Sequence, residues 1–214
     1  MAKVVHIVGT GTIGEPLIGL FTDFREKLGF DEVTFHKRTP IAADRPKLAH
    51  LMSRGAKLAA GEDHRAAFEK LGHAVSYDAE EALERATVVI DCTPAGNENK
   101  ELSYQHLKGP VGFLAQGSEE GFGKPYARGV NDEALVPGED RFVQIVSCNT
   151  HNITTLVRTV CDDGAAGFCL DRATFVCMRR ANDVTQTGDF VAAPTVGKHD
   201  DPEFGTHHAH DAYG

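Results

Sequence analysis

The chain has 214 residues, 41% of them hydrophobic and 25% charged, with a formal net charge of −9. This size allows one large or two small domains, and an acidic chain without a long basic run argues against nucleic-acid partners and against attraction to a membrane surface. No apolar stretch reaches spanning length, no signal peptide is read before the first strand, and five cysteines without C-x-x-C pairing fit a reducing compartment, the cytoplasm.

In chain order, Lys3-Val4-Val5-His6-Ile7-Val8 reads as a strand, and Gly9-Thr10-Gly11-Thr12-Ile13-Gly14 follows at once. Leu17 to Phe21 continues as a helix. Strand, G-x-G-x-x-G, helix is the order a dinucleotide fingerprint requires. Gly9 permits the tight turn, Gly11 lets a pyrophosphate approach the backbone, and Gly14 lets the helix pack closely. The N–H groups around Thr12, Ile13 and Gly14 would hold the phosphates. A tight βα turn in another doubly wound protein is the plainer alternative.

Glu32 to Phe35 reads as a second strand, ending in His36-Lys37-Arg38. An NAD-selective site usually places an acid there for the ribose 2′-hydroxyl. Lys37 and Arg38 instead suit a 2′-phosphate, so NADP is expected as the preferred cofactor, with NAD also possible. A solvated basic turn is the alternative.

Helices are expected over Arg45–Met52 and Glu62–Leu71, with Pro46 delaying the start of the first. His73-Ala74-Val75 reads as a weak strand and Ala79–Arg85 as a short helix. Thr87–Asp91 is a strong buried strand with Cys92-Thr93-Pro94-Ala95-Gly96 at its carboxyl end, the ligand side of such sheets. Glu98–Leu107 is expected as a helix. Val111–Ala115 is a strand ending in Gln116-Gly117, again on the ligand side. This alternation predicts an α/β, Rossmann-type doubly wound parallel sheet over residues 1–147 as a dinucleotide-binding domain.

Phe142–Val146 then leads as a strand into Ser147-Cys148-Asn149-Thr150, and Asn152–Arg158 reads as a helix. A cysteine at that junction faces unpaired N–H groups and the positive end of a helix dipole, which favour thiolate. Such a sulfur is a nucleophile for a carbonyl carbon. A buried structural cysteine is the alternative reading. Cys92, with no base near in sequence, reads as packing, and Cys161, Cys169 and Cys177 as core. Phe168–Met178 alternates like a long strand, and residues 181–214 lack periodicity. One helix and one strand cannot complete a domain, so residues 148–214 are expected to be a partial α+β catalytic domain, truncated at the C-terminus, with completion by another chain as the alternative. The cluster of His199, His207, His208, His210, Asp200 and Asp211 matches no tight ligand spacing, and no metal is expected.

The chain resembles the archaeal-type glyceraldehyde-3-phosphate dehydrogenases. The resemblance rests on Gly9-x-Gly11-Thr12-Ile13-Gly14, Lys37-Arg38-x-Pro40, Asp91-Cys92-Thr93-Pro94-x-Gly96, Asn99-Lys100, Gln116-Gly117-x-Glu119, Asn131 and Ser147-Cys148-Asn149-Thr150. Downstream, Arg179-Arg180-Ala181-x-Asp183 and His207-His208-x-x-Asp211 follow in the family's order. The resemblance implies an aldehyde oxidised through a thiohemiacetal and a thioester on Cys148, the thioester then cleaved by inorganic phosphate. It implies Thr93, Pro94, Gly117 and Arg180 at the cofactor. It further implies Ser147, Asn149, Thr150, His207 and His208 at a phosphorylated aldehyde, and a homo-oligomer, a homotetramer. The family is longer than this chain and carries its catalytic histidine in a later strand, and His151 is unusual beside the cysteine motif. Another aldehyde or semialdehyde dehydrogenase, or a dinucleotide-binding relative without turnover, is the alternative.

Overall fold

A computed structural model of the protein describes residues 2–116, 120–161, 169–179, 195–196, 208 and 212. It comprises two compact units, Met1–Lys124 with Pro137–Gln144, and Pro125–Val136 with Ile145–Gly214.

The first unit alternates strands and helices. These are β1 (Val4–Val8), α1 (Gly14–Asp23), α2 (Arg25–Leu28), β2 (Glu32–His36), α3 (Arg45–Ser53), β3 (Lys57–Ala60), α4 (Glu62–Lys70) and β4 (Tyr77–Asp78). They continue with α5 (Ala79–Arg85), β5 (Val88–Asp91), α6 (Gly96–Leu102), β6 (Gly112–Gln116), β7 (Lys124–Tyr126) and β8 (Phe142–Ile145), the last two strands ending within the second unit. The sheet order is β4-β3-β2-β1-β5-β6-β8-β7. Every pairing from β4 through to β6 is parallel. The strand order reverses between β1 and β5, so this is a Rossmann-like α/β fold whose ligand crevice lies beyond the carboxyl ends of those strands.

Burial explains the strand sequences. β1 is buried along its whole length, and Val5, Ile7, Val33, Phe35 and Leu58 are fully buried with Ile18, Leu48 and Phe68 of the flanking helices. A parallel sheet covered on both faces needs apolar runs rather than alternation. His6 is the exception within β1. It is fully buried, its Nδ1 lies 2.7 Å from Thr34 Oγ1, and its Nε2 has no partner among the described residues. Burial, helped by His36, holds its pKa down at about 3.

The second unit carries α7 (Cys148–Cys161), the segment 125–136 with the end of β7 and a 3₁₀ turn over Asp132–Ala134, and the antiparallel pair β9 (Met178–Arg179) and β10 (Thr195–Val196).

Several expectations need correction. β3 does not stand out in the sequence, because Lys57-Leu58-Ala59-Ala60 lacks the β-branched and aromatic residues that mark strands. The fourth strand is Tyr77–Asp78 rather than His73–Val75, since Ser76 N is the first group to reach a β3 neighbour, Leu58 O. α6 stops at Leu102 and a 3₁₀ turn follows over Tyr104–His106. Of the long strand expected over Phe168–Met178, Phe168 lies outside the described residues, 169–177 are exposed and form no ladder among the described residues, and the observed strand is Met178–Arg179. Alternation supplies a strand's side-chain pattern but not the partner that satisfies its backbone. Cys169 and Cys177 are accordingly exposed, not core, whereas Cys161 is buried.

Candidate functional site

The glycine loop gives each glycine a distinct task. Gly9 has φ +98°, a region that favours glycine, and its N–H donates to His36 O at 3.1 Å. A Cβ on Gly14 would overlap the Gly9 carbonyl, so α1 can start this close only with glycine there. A Cβ on Gly11 would meet nothing within 4 Å. Thr12 and Ile13 are exposed beside that open space. The loop is thus tight against its own backbone at Gly9 and Gly14 and open at Gly11, which fits a dinucleotide pyrophosphate.

Beyond β2 the cations are not equivalent. Lys37 is mostly buried and its Nζ lies 2.7 Å from Asp44 Oδ2, whereas Arg38 is exposed. Asp44 also accepts from Lys47 Nζ at 3.3 Å. Burial pushes the Asp44 carboxyl up, but the hydrogen bond and charge of Lys37, joined by Lys47, outweigh it and hold it below the usual range. Lys47 Nζ further reaches Thr10 O at 3.2 Å and Glu15 Oε2 at 3.4 Å, tying the start of α3 to the glycine loop.

Across the crevice, Thr93 follows β5 against that loop, since a Cβ on Gly9 would lie 3.1 Å from Thr93 Cγ2. Asp91, almost fully buried, fixes the turn. Its Oδ1 accepts from Thr93 N at 2.8 Å and from Thr93 Oγ1 at 2.6 Å. Its Oδ2 accepts from Asn99 Nδ2 at 2.7 Å and from Tyr104 Oη at 2.6 Å. Four donors on one buried carboxylate replace its lost hydration. Thr93 Oγ1 in turn accepts from Ala95 N at 3.2 Å, carrying the turn past Pro94. Burial and the adjacent Asp91 charge push the Cys92 thiol up to about 12, and Cys92 packs on the core. Burial and Asp91 raise Tyr104 as well.

In the second unit Ser147 caps α7. Its Oγ accepts from Thr150 N at 3.1 Å, and Ser147 O accepts from His151 N at 2.9 Å. Cys148 is therefore the first helical residue, and it is exposed while Ser147 and Thr150 are buried. His208 joins this cap. Its Nδ1 lies 3.0 Å from Ser147 Oγ and 3.4 Å from Thr150 Oγ1, and its Nε2 lies 3.2 Å from Asn149 Nδ2. Ser147, Asn149, Thr150 and His208, separated by some 60 residues of chain, thus form one polar cluster beside the cysteine. Gly117, Arg180 and His207 lie outside the described residues. Among the described residues no group of three or more His, Cys, Asp or Glu is arranged to hold a metal ion, and no helix is long and apolar enough to cross a membrane.

The sequence reading does not single out Lys47, Asp44 or Tyr104. Lys47 stands one residue after a proline in a helix start and carries no motif. Tyr104 signals itself weakly, as an aromatic four to five residues beyond the Asn99-Lys100 pair.

No protein-family profile matches the chain. Curated archaeal proteins do. It is 29% identical over 94% of its length to a glyceraldehyde-3-phosphate dehydrogenase of Pyrobaculum islandicum, spanning 58% of that protein. It is 32% identical over 91% of its length to one of Methanococcoides burtonii, spanning 54% of it. Over 55% of its length it is 37% identical to glyceraldehyde-3-phosphate dehydrogenase 2 of Methanosarcina acetivorans, spanning 33% of it. The chain thus has archaeal homologues of that name along nearly all of its own length, and it spans little more than half of the longer matches.

Proposed function

We propose that the protein is an NADP-accepting, aldehyde-oxidising dehydrogenase of the glyceraldehyde-3-phosphate type, with Cys148 as its nucleophile. What carries this reading is the exposed Cys148 at the first turn of a Ser147-capped helix, in a chain whose other unit has a glycine cradle shaped for a dinucleotide. Residues 1–147 bind the cofactor and residues 148–214 belong to the catalytic domain. Gly9, Gly11, Thr12, Ile13 and Gly14 hold the pyrophosphate, Thr93 and Pro94 form the facing wall, and Arg38, with Lys37, meets the 2′-phosphate. Gly117 and Arg180 complete the cofactor contacts. When bound, the nicotinamide supplies the hydride acceptor.

The chain's own residues do the rest. The Cys148 sulfur adds to the aldehyde carbon, and the carbonyl oxygen takes up a proton to give a thiohemiacetal. N–H groups at the start of α7 and the Asn149 amide stabilise the oxygen as charge develops on it. Thr150, His207 and His208 orient the phosphorylated substrate. Loss of the hydroxyl proton, and of the carbon-bound hydrogen as hydride to the acceptor, would turn the thiohemiacetal into a thioester, which inorganic phosphate cleaves as the Cys148 thiolate leaves. A homotetramer in the cytoplasm is part of the same reading.

The test is aldehyde-dependent NADPH formation with glyceraldehyde 3-phosphate, with and without inorganic phosphate. Phosphate-dependent turnover that disappears in Cys148→Ser is the expected result. Turnover that survives this substitution refutes the covalent route. Turnover without phosphate dependence favours another aldehyde or semialdehyde as substrate.

A further inference from the structure

The second unit holds a histidine that the Cys148 chemistry described above does not use. His151 lies three residues after Cys148 on α7, and Cys148, His151, Asn152 and Thr155 line one shallow depression on a single helix face. Residues three and four apart are neighbours on a helix surface. A helical side chain leans toward the N-terminus, so the imidazole leans over the turn that carries Cys148.

The imidazole is also held in one tautomer. His151 Nε2 lies 3.2 Å from the carbonyl oxygen of Arg128, which can only accept, so Nε2 carries the proton. Nδ1 is left as an acceptor, with no hydrogen bond among the described residues. The turn presenting that carbonyl is braced from both sides. Asn131 Oδ1 accepts from Ala127 N at 2.9 Å, and Asn131 Nδ2 donates to Pro125 O at 3.1 Å. Asp132 Oδ1 accepts from Gly129 N at 2.9 Å and from Tyr126 Oη at 2.7 Å. Arg158, two helical turns beyond His151 on the same face of α7, donates to Val130 O of the same turn. A carbonyl fixed this firmly orients the ring that it holds.

We propose that His151 is the proton acceptor for the Cys148 thiol, a role that rests on Cys148 being the nucleophile. The S–H bond breaks, its proton passes to His151 Nδ1, and the sulfur keeps the electron pair with which it attacks carbon. The imidazolium then gives that proton to the oxygen of the thiohemiacetal, so the ring ends neutral.

The experiment is iodoacetamide alkylation of the whole chain across a pH series, read at Cys148 by peptide mass spectrometry, for wild type and His151→Gln. Glutamine can still donate to Arg128 O but accepts no proton at neutral pH. H151Q is expected to react roughly tenfold or more slowly than wild type at pH 7. Superimposable profiles overturn the proposal. Should H151Q fail to fold, judged by its circular dichroism, His151→Asn is measured in its place, and a rate equal to wild type overturns the proposal. NADPH formation measured on unalkylated portions of the same proteins separates the two readings. A His151-dependent alkylation profile without NADPH formation leaves the thiol–imidazole pair standing and removes the dehydrogenase. NADPH formation that needs Cys148 but is unchanged in H151Q removes His151 alone.

Discussion

Acid should unfold this protein through His6, and the size of the effect follows from the structure. The ring is fully buried in β1, one nitrogen is unpartnered among the described residues, and its pKa is held at about 3 against an ordinary 6.5. The unfolded chain therefore binds the proton first. Stability from this group is intact above pH 6.5 and is lost as pH falls from there toward 3, at up to about 1.4 kcal/mol per pH unit. Between pH 7 and pH 5 the loss from His6 alone comes to about 2 kcal/mol. His36 and His73, whose pKa values burial also lowers, add to it in the same direction. His6→Leu removes the titrating group and the unpartnered nitrogen together. Urea unfolding followed by far-UV circular dichroism at several pH values is the assay. With m of roughly 2 kcal/mol/M, the wild-type midpoint should fall by about 1 M more than that of H6L over that interval. Parallel pH dependence in the two proteins refutes the argument, because a burial-suppressed imidazole cannot then be what acid attacks.

Three further outcomes follow from the first unit. Gly11→Ala should leave the thermal midpoint within the range of a neutral surface change, roughly 0.5 kcal/mol, because its Cβ meets nothing, yet weaken NADPH binding in a fluorescence titration. Gly14→Ala should lower both, and equal effects of the two substitutions on stability contradict the assigned roles. Tyr104→Phe removes one of four donors to the buried Asp91 carboxylate and should cost about 1–3 kcal/mol in urea unfolding, and an unchanged midpoint contradicts that role. Asp44→Asn removes the charge that holds Lys37, so NADPH should bind several-fold tighter while NADH is unchanged. A shift of equal size for both cofactors shows that Lys37 does not meet the 2′-phosphate.

What was legible in the sequence divides along physical lines. Apolar runs covered on both faces announce β1 and β5 directly, and the buried Val33-Thr34-Phe35 centre announces β2, because buried parallel strands have little freedom in composition. Gly9 and Gly14 are legible for a related reason, since backbone crowding and a positive φ exclude other residues. β3 is obscured because two of its four residues are alanine, which signals helix as readily as strand. Residues 169–177 mislead in the opposite direction, alternating but forming no ladder among the described residues. The cysteine motif places Cys148 at the start of α7, as its local pattern requires. The contacts around it come from distant chain. His208 on the cap and Arg128 O on His151 depend on tertiary placement that no local pattern encodes. The pairing of Lys37 with Asp44 is of the same kind, because a basic tripeptide does not reveal which of its cations is already engaged.

The most direct measurement is the mass of the Cys148 peptide after the protein is quenched in acid with NADP and glyceraldehyde 3-phosphate, without inorganic phosphate. A phosphoglyceroyl thioester on Cys148, accompanied by one equivalent of NADPH and discharged on adding phosphate, is the predicted result. NADPH formed with an unmodified Cys148, or an acyl group found on another residue, contradicts the account.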